Sequence, residues 1–155
     1  MAFIQPCFIR KNSPELRKKL EELGYEPSFS MGKYPEVYKN IAVCNFFGSR
    51  YYGISDDEAA RPGDITDAIK NRGMIDCGTN EELFIALAAL QDDTNENQWF
   101  IAQRTMWDEN YYGEITVYYE EGEWLLWDYY SFMEDMPSDF KKATVEEIIE
   151  HFKKE

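Results

Sequence analysis

Apolar positions along this chain change period several times, and each change marks an element. Ala2 to Ile9 is largely apolar and reads as a first strand. Pro6 cannot donate to a ladder, so the strand is expected at an edge or with a bulge. Ser13-Pro14-Glu15 opens a helix with an N-cap serine and a proline at its first position. Leu16, Leu20 and Leu23 form one stripe of it, and Gly24 closes it in a left-handed cap. Tyr25 to Pro35 reads as loop. Val37 to Phe47 and Arg50 to Ser55 read as a β-hairpin turned near Gly48-Ser49. Asp56 to Arg72 is an acidic connector with about one helical turn at Ile65 to Ile69.

The stretch from Met74 to Leu90 anchors the chain. A short apolar run passes through Gly78 to Thr79, which with Glu82 forms a capping box. Leu83 to Leu90 is then apolar on every side, and a helix of that kind must be covered on every side. After the polar loop Asp92 to Asn97, Gln98 to Arg104 is a strand, and Asp108 to Gly113 a loop ending in a turn-like Asn110-Tyr111-Tyr112-Gly113. Glu114 to Glu120 and Glu123 to Tyr130 read as a second hairpin around Glu121-Gly122. That register sets Tyr119 against Trp124 and Val117 against Leu126 on one face, with Tyr118 against Leu125 and Thr116 against Trp127 on the other. It also opposes Glu120 to Glu123, an unfavourable pair. Thr144 and Glu147 form another capping box, opening a terminal helix with Val145, Ile148, Ile149 and Phe152 inward.

These elements predict an α+β domain covering residues 1–155, with a mostly antiparallel sheet of about six to seven strands and three helices. The order is β-α-β-β-α-β-β-β-α, and its first six elements suit a ferredoxin-like split β-α-β arrangement. Glu15-Leu16-x-x-x-Leu20-x-x-Leu23 recurs as Glu82-Leu83-x-x-x-Leu87-x-x-Leu90. Either a duplication or the generic rules of helix capping and spacing account for this.

Composition sharpens the picture at one point. The net charge is -14, yet residues 1 to 24 are mildly basic while Trp107 to Asp139 holds ten acids and no Lys or Arg. Such a field repels phosphate backbones and anionic membranes and attracts cations or basic proteins, so direct nucleic-acid binding is not expected. Acidity also simply keeps a protein dispersed. Cys7, Cys44 and Cys77 lack CxxC spacing and suggest reduced thiols in a cytoplasm. The longest apolar run, Leu83 to Leu90, falls far short of a membrane span.

The chemistry is mostly negative. A single histidine, His151, rules out His-rich zinc sites and disfavours hydrolases built on a histidine dyad. Cys77 precedes a helix N-terminus, but Asp76, Glu81 and Glu82 oppose its thiolate, so a structural role is expected. Asp93-x-Asn95-x-Asn97 opens like a calcium loop, yet Gln98 replaces the needed glycine and Arg104 the bidentate Glu. Asp56, Asp57, Glu58, Asp64 and Asp67 read as solvated loop acids. No Walker or dinucleotide glycine motif is present. No metal or cofactor is called for, and the residues favour binding over catalysis.

What remains in excess is aromatic. Large amphipathic rings among acids suit a basic protein partner. The residues expected to meet it are Trp107, Tyr111, Tyr112, Tyr118, Glu120, Glu121, Glu123, Trp127, Tyr129 and Tyr130. The alternative is a small-molecule or nucleotide ligand, sequestered or slowly hydrolysed, with Trp99 stacking a base and Arg50, Arg72 or Arg104 holding phosphates. Phe8 to Tyr25 together with Asp76 to Phe84 resembles uncharacterised small acidic proteins of gut Bacteroidales bacteria and their phages or mobile elements. The likeness spans about a third of the chain and brings no catalytic motif. It brings no function to transfer and implies an accessory protein of a phage or mobile element; within the interaction reading, the expectation is a phage-encoded inhibitor of a host defence or nucleic-acid-handling enzyme.

Overall fold

A computed structural model describes residues 3–44, 49–55, 63–92, 94, 96–127 and 139–153. They belong to two units, Met1–Asp93 with Val145–Glu155, and Thr94–Thr144. In the first unit β1 (Cys7–Ile9) leads to α1 (Pro14–Leu23). The Ser13 side chain accepts the Leu16 N–H at one end of α1, and Gly24 closes the other at φ 113°. The stretch 25–35 is not all loop. It holds a short strand β2 (Glu26–Pro27), a helix α2 (Phe29–Lys33) capped by Ser28, and then a 3-10 turn at Pro35–Val37. Five helical residues containing Gly32 leave no periodic signal to read.

The first hairpin is present as β3 (Asn40–Cys44) and β4 (Arg50–Ile54), from Asn40↔Ile54 to Cys44↔Arg50; residues 45–48 of its turn lie outside the described residues. Next come α3 (Asp64–Lys70), β5 (Ile75–Asp76) and α4 (Glu81–Ala88). The sheet order is β2-β4-β3-β1-β5. β1 pairs antiparallel with β3 and parallel with β5, so it is interior, not an edge. Pro6 precedes the ladder, and its carbonyl accepts the Ile75 N–H at 3.2 Å. A ferredoxin-like sheet inserts the second strand of the hairpin between β1 and the first. Here the first hairpin strand, β3, pairs directly and antiparallel with β1, and β4 lies outside it, so that arrangement is not formed.

Alternation along the paired strands gives the sheet two faces. Phe8, Ala42, Cys44 and Ile54 pack with Ala68 of α3 and Met74. The opposite face carries Cys7, whose thiol lies 3.9 Å from the Phe84 carbonyl of α4, and Tyr51, whose hydroxyl reaches Glu21 of α1 at 3.1 Å. Burial, then Glu21, pushes the Tyr51 phenol up to about 12. Packed on this face, α4 meets β1, α1 and α5 (Val145–Phe152). Leu83, Phe84 and Ala86 to Leu90 are buried, and only Ile85 is partly open. The enclosure expected of this helix is therefore present. Its cap differs: Gly78 at φ 57° and the Asn80 N–H to Cys77 carbonyl bond (3.0 Å) place Thr79 inside a turn. Asn80 caps instead, accepting the Leu83 N–H at 3.2 Å and donating to the Phe152 carbonyl of α5 at 2.6 Å. At the other end the buried Tyr25 hydroxyl donates to the Ala88 carbonyl at 2.6 Å.

The second unit contains β6 (Trp99–Ala102), β7 (Met106–Glu109), β8 (Ile115–Tyr119), β9 (Trp124–Leu126) and β10 (Phe140–Lys142). They form a three-stranded sheet, β10-β6-β9, and a two-stranded ribbon, β7-β8. The hairpin expected around Glu121-Gly122 does not form as a pair of strands. The turn exists, with Gly122 at φ 87° and the Glu123 N–H on the Glu120 carbonyl at 3.0 Å. Yet the Gly122 N–H bonds the Ala102 carbonyl at 2.8 Å, and the chain crosses onto β6. The facing pairs become Phe100↔Leu125 and Ile101↔Trp124 on one side, Trp107↔Val117 and Glu109↔Ile115 on the other. The Glu123 carboxylate accepts the Glu120 N–H at 2.9 Å, and the two residues belong to a turn, not to facing strands.

Ten strands and five α-helices are thus present among the described residues, more than the sequence pattern suggests. The α+β class holds, with strand pairs mostly antiparallel. No described helix is long and apolar enough to cross a membrane.

Two tests follow from this packing. The Tyr38 ring lies against Gly53, where an added Cβ would overlap the ring at Cγ. Gly53→Ala is expected to destabilise by about 2 kcal/mol through overpacking, read as a lower urea midpoint. Arg10 makes a forked pair with Asp76, closest at 2.9 Å. Burial works to raise the Asp76 carboxyl, but Arg10 and the Gly78 N–H outweigh it and hold the group below its ordinary value. A depressed folded value means the stabilisation is full above the ordinary carboxylate range and lost as pH falls through the folded one. Asp76→Asn is expected to remove that part of the acid limb in stability-versus-pH curves.

Candidate functional site

The ribbon β7-β8 is built by a strong local turn. Asn110 Oδ1 accepts the Tyr112 and Glu114 N–H groups at 2.9 and 3.0 Å. The Asn110 N–H meets the Glu114 carbonyl at 3.0 Å, and Gly113 takes φ 80°. At its base, Met106 and Tyr119 pack against the core of Phe100, Ala102, Trp127 and Phe140. Tyr119 meets Phe140 edge-on at 5.1 Å. Between base and tip almost nothing covers it. Tyr111 is 96% exposed, Tyr112 84% and Trp107 56%, and Ile115, Val117 and Tyr118 are also exposed. Trp107, Val117 and Ile115 share one face with Glu109 through the register of the ladder.

The residues expected to meet a partner therefore divide. Trp107, Tyr111, Tyr112 and Tyr118 lie on the ribbon, and Glu120, Glu121 and Glu123 on the exposed turn that leaves it. Trp127 does not belong with them. It is 9% exposed and sits edge-to-face with Phe100 at 6.3 Å, so it is core. Tyr129 and Tyr130 lie outside the described residues. Sequence reasoning missed Ile115 and Val117, having set Val117 against Leu126. The signal for both was the Asn110-x-x-Gly113 turn, which joins the strands on either side of it.

The alternative set divides too. Arg50 and Arg72 come together in one cleft of about 350 Å³ lined also by Tyr52, Ile54, Asp64 and Asp67. Arg72 bonds the Tyr52 hydroxyl at 3.1 Å and pairs with Asp67 at 3.3 Å. Burial first, then Cys44, raises the Tyr52 phenol against the pull of Arg72. Two carboxylates on the same lining offset the two guanidiniums, which suits a neutral or zwitterionic ligand better than a polyphosphate. Arg104 and Trp99 are not in this cleft. Arg104 is forked onto Asp139 at 2.6 and 3.0 Å, holding that carboxyl below its ordinary value. Trp99 packs edge-on to Trp124 at 6.2 Å.

Cys7, Cys44 and Cys77 are free thiols and all buried, and burial raises Cys7 well above its usual value. Cys77 follows β5, with its thiol 3.8 Å from the Ile75 carbonyl. His151 lies in the last turn of α5, against Phe152. Among the described residues no cluster of three or more His, Cys, Asp or Glu is placed to hold a metal ion. Asp56, Asp57, Glu58, Asp93 and Asn95 lie outside them. The chain matches no protein family, no curated protein and no solved structure.

Hydroxyl-radical footprinting of the intact protein is expected to oxidise Trp107, Tyr111 and Tyr112 rapidly and Trp127 slowly. Equal rates, read residue by residue in a mass spectrometer, would contradict this placement.

Proposed function

We propose that this is a non-enzymatic interaction protein that presents an acidic, aromatic ribbon to a basic protein surface. One observation carries the reading. Exposed Trp107, Tyr111, Tyr112, Ile115, Val117 and Tyr118 lie together on a ribbon whose stretch 105–127 contains six acids and no Lys or Arg. Scattered apolar side chains on a surface need no explanation, but so many exposed on one short ribbon do. Rings supply anchors at low entropic cost, and the acids around them steer a cationic partner and set the rim. In a cytoplasm, such a protein carried by a phage or mobile element would occupy the basic cleft of a nucleic-acid-handling or defence enzyme, its carboxylates standing in for phosphates.

A second reading, a small-ligand protein, is favoured by the meeting of Arg50 and Arg72 in one cleft. As a sequestering protein or a weak hydrolase it would show a thermal shift in a panel of nucleotides and zwitterionic metabolites, and flat responses would retire it.

The first reading is tested by a photo-crosslinking residue placed at Tyr112 or Tyr118, with the exposed Phe29 as control. A basic protein is expected at the ribbon positions and not at the control, with capture lost as salt rises. Replacing Glu120, Glu121 and Glu123 together by Gln is expected to weaken that complex about tenfold at low salt, three rim pairs at about 0.5 kcal/mol each. Salt-insensitive capture, or equal capture at Phe29, would count against it.

A further inference from the structure

The ribbon leaves main-chain groups as well as side chains open. From the Asn110 N–H to Glu114 carbonyl bond, hydrogen-bonded and open pairs alternate down an antiparallel ladder. Asp108↔Thr116 is thus a bonded pair, while Glu109↔Ile115 and Trp107↔Val117 are open pairs. In an open pair the N–H and C=O point away from the partner strand. On β8 these are the groups of Ile115 and Val117, on a strand whose one neighbour among the described residues is β7. No described residue bonds them, and both residues are exposed.

An unpaired edge of this kind is a template for another chain, and proteins commonly blunt it with Lys or Pro. Residues 105–127 contain neither. What flanks the edge is negative: Glu114 before it, Glu120 and Glu121 after it. Two copies meeting there would set acid against acid, which is unfavourable across paired strands. A chain bearing Lys or Arg gains from the same charges.

We infer that β8 accepts an extended, basic segment of a partner protein as a third strand of the ribbon. The outward N–H and C=O groups of Ile115 and Val117 supply the main-chain bonds. Apolar side chains of the segment lie beside Ile115 and Val117, and its cations reach Glu114, Glu120 and Glu121. This mode gives affinity through the backbone and specificity through alternate side chains. It rests on the reading of the ribbon as the docking surface and adds how the partner is held.

The test uses the full chain and two synthetic ten-residue peptides of alternating Lys and Val, one carrying N-methyl groups on alternate amides. The methylated peptide keeps charge and side chains but loses the donors that strand pairing needs. It is expected to bind about tenfold or more weakly than its parent, two lost main-chain bonds setting the scale. The parent is expected to slow hydrogen exchange at the Ile115 and Val117 amides. Equal binding of both peptides, with no change at those amides, would overturn strand addition while leaving a basic partner in place. Binding of neither would overturn the docking reading itself. Protection of the same amides in a dimer of the protein alone would overturn the proposal in favour of a second copy.

Discussion

Withdrawing α4 from water is the constraint on which the first unit depends. Leu83, Phe84, Leu87 and Leu90 are all buried, and each contributes about 1.5–3 kcal/mol relative to an exposed position. Uncovering two or three of them would match the whole margin of a small domain, about 5–15 kcal/mol. The sheet therefore supplies one cover, α1 a second and α5 a third. Polar groups then settle the ends: Asn80 ties the start of α4 to α5, and Tyr25 ties its finish to the segment after α1. Phe3 stacks on Tyr25 at 4.1 Å and closes that corner.

The second unit solves its packing in the opposite way. Its core is small, centred on Phe100, Trp127 and Phe140, and it covers only the base of the ribbon. A two-stranded hairpin is marginal in water without such support. The Asn110 turn at the tip and the Tyr119–Phe140 contact at the base hold it while leaving the middle bare.

How much of this was legible depended on range. Features decided within one helical turn, such as Ser13, Pro14 and Gly24 around α1, could be read directly, because the groups that satisfy one another are neighbours in sequence. Even there Asn80 displaced Thr79, since a turn from Cys77 shifted the helix start by one residue. Pairing between distant strands could not be read. Pro6 suggested an edge, but β5 supplies the second neighbour of β1 from far along the chain. Glu121-Gly122 announced a turn correctly and said nothing about which strand would receive the chain. For the same reason Trp127, expected at the partner surface, is core, and Val117 faces Trp107 in place of Leu126: alternation gives two faces, and only tertiary pairing decides which one is wet. The cleft joining Arg50 to Arg72 has no local signature, because β4 and the end of α3 approach through the fold alone.

The order of units along the chain has a consequence for synthesis. α5 covers α4, yet it follows the entire second unit in sequence. A nascent chain therefore carries its greasiest helix through the translation of residues 94–144 before the last cover is made. Loop closure costs rise only slowly with length, so the delay is kinetic more than energetic. Until α5 has been made, the described partners left to α4 are β1 and α1.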